Sequence, residues 1–452
     1  MISKDYTSGQ LLETEACTNC KICADVCPAV GASGDGKVSA IYRLAYLRDI
    51  LKRKRGLLSR IFKTKGTSIE DLTAYSDTVF RCTLCGNCQE VCPVGIHLKD
   101  LWLNLRQDLV REGSFPKKIE MIKGNLDESR NVFAEDNEER ADWVEDMRNA
   151  PKHGFIKKRD DIVYFTGCVA AYFPLAQKIP IALAEILQAA QADFTLLGGD
   201  EWCCGFPLLG AGLMDMFSEF REHNIGAVKA RGAKRVVFAC PSCFQMWREH
   251  YDSGIEIAHA SQFLEELAIR GAIPFKETNL TVTYHDPCDL GRGARVFDAP
   301  REVIRSIPGV KLVELPRNRE NCRCCGGGGN LGKGQKQSEE DKARILALEL
   351  ANALPNTAKI KLCRDTEEQD WLISLYKDTG SFFELKQFTW NVYQESPQPF
   401  LVVERVGKAG LERHLKQADP GMKCQVIDPT RPDHSVRDKS NTDERRDRPT
   451  RV

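Results

Sequence analysis

Apolar residues recur at helical spacing between positions 41 and 51: Ile41, Leu44, Ala45 and Leu47, then Ile50 and Leu51. That i, i+3, i+4 pattern predicts an amphipathic helix. At Asp161 the texture changes. Ile162-Val163-Tyr164-Phe165 is a short apolar run ending at Gly167-Cys168, which predicts a strand feeding a turn. A helical stretch from Leu175 to Ala192 follows, then a strand over Phe194–Leu197, a helix over Met214–Ala230 and a strand over Arg235–Ala239. Strands and helices alternating at this length predict parallel βαβ packing. A second series follows, with strands over Leu280–Tyr284 and Ala358–Leu362. Residues 125–148 are acidic and polar and read as a surface connector with helical pieces. Residues 428–452 are charged and lack apolar periodicity, so disorder is expected there.

Composition narrows the classes. The 452 residues allow two or three domains with sizeable cores. Sixty-four basic and 64 acidic residues cancel, so no bulk field favours nucleic acid or a membrane surface. No apolar stretch reaches the roughly 18 residues of a spanning helix. Nineteen cysteines are the outlier, and the start of the chain has neither a basic region nor an apolar run. Abundant thiols without an export signal predict a cytoplasmic protein that uses them for metal rather than disulfides, peripheral to a membrane only through a partner.

The first cysteines have a definite spacing. Cys17, Cys20, Cys23 and Cys27-Pro28 form C-x2-C-x2-C-x3-C-P, and Cys82, Cys85, Cys88 and Cys92-Pro93 repeat it. In this bacterial ferredoxin run, three cysteines of one copy and the fourth of the other hold each 4Fe–4S cluster. The crossed quartets are Cys17, Cys20, Cys23 with Cys92, and Cys82, Cys85, Cys88 with Cys27. Zinc also uses C-x2-C pairs, but the x3-C-P tail seen twice is not a zinc pattern. Fifty-four residues separate the runs and carry the helical period noted above, which favours an all-helical ferredoxin domain. The basic insert Lys52–Arg55, followed by Leu57, Leu58, Ile61 and Phe62, reads as a solvated face with docking as the minority alternative.

Later cysteines fall at the ends of the predicted strands. Cys168 follows the first strand, Cys203-Cys204-Gly205 the second and Cys240 the third, with Cys243 two residues beyond Pro241. Carboxyl ends of parallel strands share one edge, where open α/β sheets place their sites. Adjacent cysteines rarely bridge each other, and glycine after them permits a sharp turn close to whatever the thiols hold. Thirty-four residues lie between Cys168 and Cys203, and 35 between Cys204 and Cys240. Thirty-five also lie between Cys288 and Cys324-Cys325-Gly326, and Cys363 follows the next strand, so the region is read as an internal duplication. The copy is imperfect. Thr366 stands where the last C-x2-C cysteine would be, and threonine is a poor ligand for iron that sulfur normally holds. Cys322 is a spare thiol that could complete the set.

Cys168…Cys203-Cys204-Gly205…Cys240-x2-Cys243 resembles the cysteine-rich CCG domain. Two ferredoxin runs followed by two such domains resemble the heterodisulfide reductase D subunit and its bacterial relatives, including iron–sulfur subunits of glycolate oxidase and anaerobic glycerol-3-phosphate dehydrogenase. The resemblance covers roughly residues 10–365 and implies an α-helical ferredoxin domain followed by an α/β tandem of pseudo-symmetric CCG domains. The expected boundaries are 1–110 for the ferredoxin domain, 111–160 for the linker, 161–275 and 276–385 for the two CCG domains, and 386–452 for an extension. The resemblance implies two cubane 4Fe–4S clusters plus a non-cubane 4Fe–4S cluster on Cys168, Cys203, Cys204, Cys240 and Cys243 that cleaves a disulfide. A second such cluster would need Cys288, Cys324, Cys325 and Cys363. Cys203 and Cys204 are then the catalytic candidates, Gly205 and Gly326 give the backbone its approach, and His285 is a candidate proton donor.

Several other features read as decoys. The run Gly326–Gly334 loosely matches two nucleotide fingerprints but follows Cys324-Cys325 rather than a strand and lacks the Ser/Thr of a P-loop. Cys240-Pro241-Ser242-Cys243 alone would fit a thioredoxin-like dithiol. His97 reads as a bystander, Trp202 as packing that keeps water out, and Cys424 as a lone thiol. With no flavin fingerprint, the expected partners are a flavoprotein or a membrane cytochrome b-type subunit and a small disulfide or other small acceptor. The alternatives are a non-catalytic relay for a flavin-dependent dehydrogenase of glycolate, lactate or glycerol 3-phosphate, and a zinc-organised interaction module.

Overall fold

The computed structural model describes residues 6–55, 69–326 and Gly328, together with the backbone of short strands between 359 and 425. The Leu57–Phe62 docking stretch, most of the glycine run after Gly326, Thr366, the side chains of Cys363 and Cys424, and the 428–452 tail lie outside the described residues. The chain divides into two compact units, Met1–Leu346 and Ala347–Val452.

The first unit begins with helices. The predicted helix spans Ala40–Arg55 and buries Leu44, Leu47, Ile50 and Leu51, while Ala45 faces solvent. Leu98–Arg111 is the second organising helix. Leu98, Leu101, Trp102, Leu105 and Leu109 form its buried stripe, each such side chain contributing about 1.5–3 kcal/mol. Arg43 and Arg106 lie on the same buried stripes as these apolar residues, and both are fully buried. Residues 125–148 are less of a surface connector than their polarity suggests, because Arg140, Trp143 and Met147 are buried.

Three short parallel strands follow: β1 (Ile162–Phe165), β2 (Arg235–Phe238) and β3 (Glu256–His259), in the order β1-β2-β3. The strand expected at Phe194–Leu197 is reduced to a parallel bridge from Thr195 to Val163 on the far edge of β1. Helices Lys178–Ala189, Met214–Ala230, Pro241–His250 and Ala260–Ile269 cover the sheet. One buried apolar cluster runs from Leu101 and Leu105 of the helical region to Val163, Phe165 and Phe238 of the sheet. The ferredoxin-like helices and the first α/β layer therefore share a core. Arg106 reinforces the junction by donating to the Gly210 carbonyl at 2.7 Å.

In the second half of this unit, β4 (Leu280–Tyr284) pairs in parallel with β5 (Val310–Glu314), which the apolar pattern had not marked. The first sheet is thus not repeated strand for strand among the described residues of this unit. In the second unit, β6 (Lys359–Arg364) contains Cys363 rather than preceding it. It pairs antiparallel with β7 (Trp371–Tyr376) and parallel with β10 (Phe400–Val403), with β8 (Phe382–Lys386) and β9 (Trp390–Asn391) lying between those two in sequence. No helix among the described residues is long and apolar enough to cross a membrane.

Candidate functional site

Two recesses open among the N-terminal helices. Cys17, Cys20, Cys23 and Cys92 line one of about 400 Å³, and Cys27, Cys82, Cys85 and Cys88 line another of about 390 Å³. These are the two crossed quartets. Each run bends into a four-residue helix, Ile22–Asp25 or Asn87–Glu90, and Asn87 Nδ2 donates to the Val26 carbonyl at 2.9 Å, which ties the two turns together. Every cysteine among the described residues is a free thiol. No three His, Cys, Asp or Glu side chains among them converge on a single-ion position; the quartets surround space instead.

The surroundings of the two recesses differ. The Cys17 recess is walled by Ala40, Ile41 and Leu44, and its one lining cation among the described residues is the exposed Lys21. Burial pushes the Cys23 thiol up to about 11. The Cys82 recess holds Arg43, stacked 4.5 Å over Trp102 and hydrogen-bonded to Cys82. Burial acts to raise the Cys82 pKa, but the guanidiniums of Arg43 and Arg106 outweigh it and hold the thiol below its ordinary value. Arg43 Nη1 is buried with no hydrogen-bond partner. Leaving such a donor unmade is costly, so it suits an anionic sulfur-rich group in the recess. A unit charge ~6 Å from such a group at an effective permittivity of ~20 contributes about 3 kcal/mol.

The strand ends of the sheet assemble the second thiol set. Cys168 follows β1, Cys203 and Cys204 follow the Gly198–Asp200 turn, and Cys240 caps the helix Pro241–His250, which carries Cys243 in its first turn. Cys168, Cys203, Cys204 and Cys243 are buried, and Cys240 is half-buried. Hydrogen bonds link Cys168 to Cys203, Cys203 to Cys204, Cys204 to Cys243 and Cys243 to Cys240. Cys203 and Cys243 together bring Cys204 down to about 6, and Cys243 also holds Cys240 below its ordinary value, so the set carries two favoured thiolates.

The backbone around that pair is fixed. Cys203 N donates to the Arg130 carbonyl, Asn224 Nδ2 to the Cys203 carbonyl, and the Tyr251 hydroxyl to the Cys204 carbonyl at 3.0 Å. Gly205 takes φ +82° and a side chain there would run into the Phe217 ring, so only glycine fits the turn. Glu201 accepts from Thr166 N and Gly167 N, both at 2.8 Å, and pairs with Arg140 at 3.0 Å. Arg140 also reaches Cys168 Sγ at 3.8 Å. One buried ion pair therefore ties the Cys168 turn to the Cys203-Cys204 loop. Trp202 stacks on His223 at 3.7 Å, with Arg130 over its ring.

The third set sits against the helical region. Cys324 hydrogen-bonds with Cys288, Cys325 and the ferredoxin-run Cys85. It also donates to Thr83 Oγ1 at 3.4 Å and accepts from Gly326 N at 3.3 Å. Arg292, in the π-helical turn Asp289–Gly293, spans the junction. Its Nε donates to the Cys85 carbonyl at 2.8 Å, and Nη1 donates to the Cys322 carbonyl and Sγ at 2.6 and 2.9 Å. Nη2 is buried without a partner. Toward the first sheet, Ser242 donates to Asp289 Oδ2 at 2.6 Å, joining the Cys243 and Cys288 segments. His285 Nε2 donates to the Arg323 carbonyl at 2.8 Å, and burial lowers its pKa, so the neutral ring anchors the Cys324 loop. Cys363 belongs to β6 of the second unit.

A 4Fe-4S dicluster domain model matches residues 13–96, and the CCG cysteine-rich domain model matches 162–248 and 282–360. The D subunit of the dihydromethanophenazine:CoB–CoM heterodisulfide reductase of Methanosarcina mazei is 37% identical over 344 residues, which is 74% of this chain and 82% of that relative. The chain belongs to the heterodisulfide reductase D-subunit family. It is an iron–sulfur electron-transfer oxidoreductase subunit of that type. A probable iron-sulfur-binding oxidoreductase, FadF of Bacillus subtilis, is 30% identical over 370 residues (73% of this chain, 52% of the relative). The EtfAB:quinone oxidoreductase of Syntrophomonas wolfei is 26% identical over 356 residues (72% and 49%). The chain spans about half the length of these last two.

The arginines beside the thiols were not foreseen in this heterodisulfide reductase D-type chain. Arg43 and Arg106 had a readable signal, a cation on an apolar helical stripe. Arg140 was hidden among acidic neighbours and Arg292 in a glycine-flanked turn, where no periodicity exists to betray burial.

Proposed function

We propose that this chain passes electrons between a partner protein and a small disulfide or another small acceptor, with the chemistry at Cys203 and Cys204. The observation that carries this reading is the continuity of the thiol sets, from the Cys82 quartet through Cys85 and Cys324 to Cys288, then through Asp289 and Ser242 to Cys243. In this reading the Cys17 and Cys82 quartets each hold a cubane 4Fe–4S cluster, and the five-thiol set holds a non-cubane one. The third set takes a second non-cubane cluster only if another ligand replaces Thr366. Bound clusters supply one-electron transfer. The protein supplies the ligands, the buried arginines that neutralise them and the apolar walls that exclude water. Cys20 is exposed, so a flavoprotein or cytochrome b-type partner would approach the Cys17 face. His285 serves here as a loop anchor, because its Nε2 proton is already committed to a carbonyl.

The test is purified protein, chemical reductant and a small mixed disulfide. Thiol release, together with a paramagnetic signal perturbed by the thiol product, supports the reading. A signal indifferent to thiols sinks disulfide chemistry in favour of a plain relay for a flavin-dependent dehydrogenase, a role consistent with the EtfAB:quinone oxidoreductase likeness. Zinc without labile sulfide would end both.

A further inference from the structure

The thiol sets share a chemistry but not an electrostatic setting. Arg43 is fully buried in the Cys82 recess, Arg140 fully buried beside Cys168, and Arg292 buried between Cys85 and Cys322. Arg43 and Arg292 each keep one buried guanidinium nitrogen without a hydrogen-bond partner, pointing to an acceptor at those sites beyond the protein's own atoms. Guanidinium groups remain protonated throughout the accessible pH range, so these are fixed charges. The Cys17 recess has no counterpart among the described residues: its lining cation is the exposed Lys21, whose field water screens.

Adding an electron to a cluster adds negative charge. A nearby fixed cation and N–H donors to sulfur both make that addition easier, and these are recognised means by which a protein sets a cluster's potential. From this difference we propose that Arg43 and Arg292 are positioning residues that rank the two quartets, so that an electron is held more weakly at the Cys17 quartet than at the Cys82 quartet; Arg140 adds no such bias, because Glu201 meets its charge at 3.0 Å. The ranking rests on the cluster assignments proposed above. It gives the chain a preferred inward direction, from the Cys17 quartet to the Cys82 quartet, without any moving part. Water at the exposed Cys20 edge works the other way, since solvent access also stabilises a reduced cluster.

The experiment is a redox titration of the full-length, cluster-loaded protein followed by electron paramagnetic resonance. The Cys17-site signal is identified by its loss in Cys20→Ser. The expected order places that signal lowest. Arg43→Gln should lower the midpoint of the Cys82-site signal by at least tenfold in electron partition, ~59 mV for a one-electron couple, and leave the Cys17-site midpoint in place. Arg43→Lys should largely restore it. Arg292→Gln, at a separate site, should lower the same Cys82-site midpoint through Cys85, and it stands as the independent variant if Arg43→Gln fails to retain iron. Equal midpoints, a Cys17-site signal above the Cys82-site signal, or an unmoved midpoint in both glutamine variants overturns the ranking while leaving the relay intact. A purified protein without iron and sulfide overturns the relay reading along with it.

Discussion

The two thiol sets of the α/β region are built from the same words and finished differently. In the first, three parallel strands and a bridging Thr195 bring five cysteines to one edge, and Arg140 with Glu201 clamps the loops. In the second, two strands carry Cys288 toward Cys324 and Cys325, and Arg301 with Asp286 provides a comparable clamp. Asp286 stands two residues before Cys288, just as Glu201 stands two before Cys203. Each half has a buried arginine–carboxylate clamp, but at positions that do not correspond in the repeat, since Asp286 falls opposite Thr166. The first set closes on itself, thiol to thiol. The second leans on the ferredoxin run through Cys85, Thr83 and Arg292. In the function proposed above, this suits the first set to chemistry and the second to contact with the Cys82 quartet.

The hardest test of that contrast is ligand removal. With two cubanes and one five-thiol site, the loaded protein should carry ~12 irons per chain, and Cys204→Ser should bring it to ~8. Cys324→Ser should leave the count unchanged. Iron and sulfide analysis reads both, and a wild-type value of ~16 would make the sets equals and end the asymmetry.

The clamps come next. Arg140→Met strands Glu201, which is buried, and breaking such a pair costs about 3–5 kcal/mol. Arg301→Met should cost at least as much, because Asp286 is equally buried and keeps one backbone N–H, from Arg319 at 2.7 Å, where Glu201 keeps two. Urea unfolding followed by tryptophan fluorescence compares them; a clearly smaller loss for Arg301→Met would show that the second loop depends less on its clamp than the first.

The turn glycines give a smaller effect. Gly205→Ala meets a left-handed backbone penalty of about 1–2 kcal/mol and must also push aside Phe217, at about 1–3 kcal/mol more. Gly326, at φ +93°, carries the same ~1–2 kcal/mol backbone penalty. Thermal unfolding should therefore separate Gly205→Ala from Gly326→Ala, and coincident melting curves would show that Phe217 yields without cost.

Much of this was legible in the residues because cysteine spacing encodes loop geometry directly. The crossed quartets follow from C-x2-C-x2-C-x3-C-P, and the Met214–Ala230 helix follows from its apolar period. What escaped notice was set by tertiary context. The bridge at Thr195 is too short for a strand pattern, and β3 has only Ile257, Ala258 and His259 to mark it. Arg140 and Arg292 are charged residues whose burial is determined by distant thiols and carbonyls, which no local window contains. The contact between Cys324 and Cys85 joins positions 239 apart in sequence, beyond any spacing rule. The copy at residues 276–385 matches the first in its cysteine intervals as far as Cys325, whereas among the described residues of the first unit its strands do not repeat the first sheet.

Acidification offers the mildest way to separate the two sets. His285 holds the Cys324 loop as a neutral ring, and its burial lowers its pKa below the ordinary 6.5. In the unfolded loop the ring takes a proton as pH falls through 6.5, while the native ring resists. The unfolded state then binds more protons, so stability falls as pH drops from 6.5 toward the depressed native value and is fully present above 6.5. The first set has its own depressed ring in His259, which meets the Ala239 carbonyl beside Cys240, but that ring does not hold the Cys203-Cys204 loop. The clamp of that loop is Arg140 with Glu201, and burial raises the carboxyl pKa. Protonation of that carboxyl on acidification therefore favours the native form over the unfolded one. Amide hydrogen exchange, corrected for intrinsic rates, should thus show residues 285–326 losing protection between pH 7 and 5.5 before residues 201–205 do. His285→Gln, which keeps a donor for the Arg323 carbonyl but cannot titrate, should flatten that difference. If both loops loosen together in the wild type, the histidine is not what holds the second one.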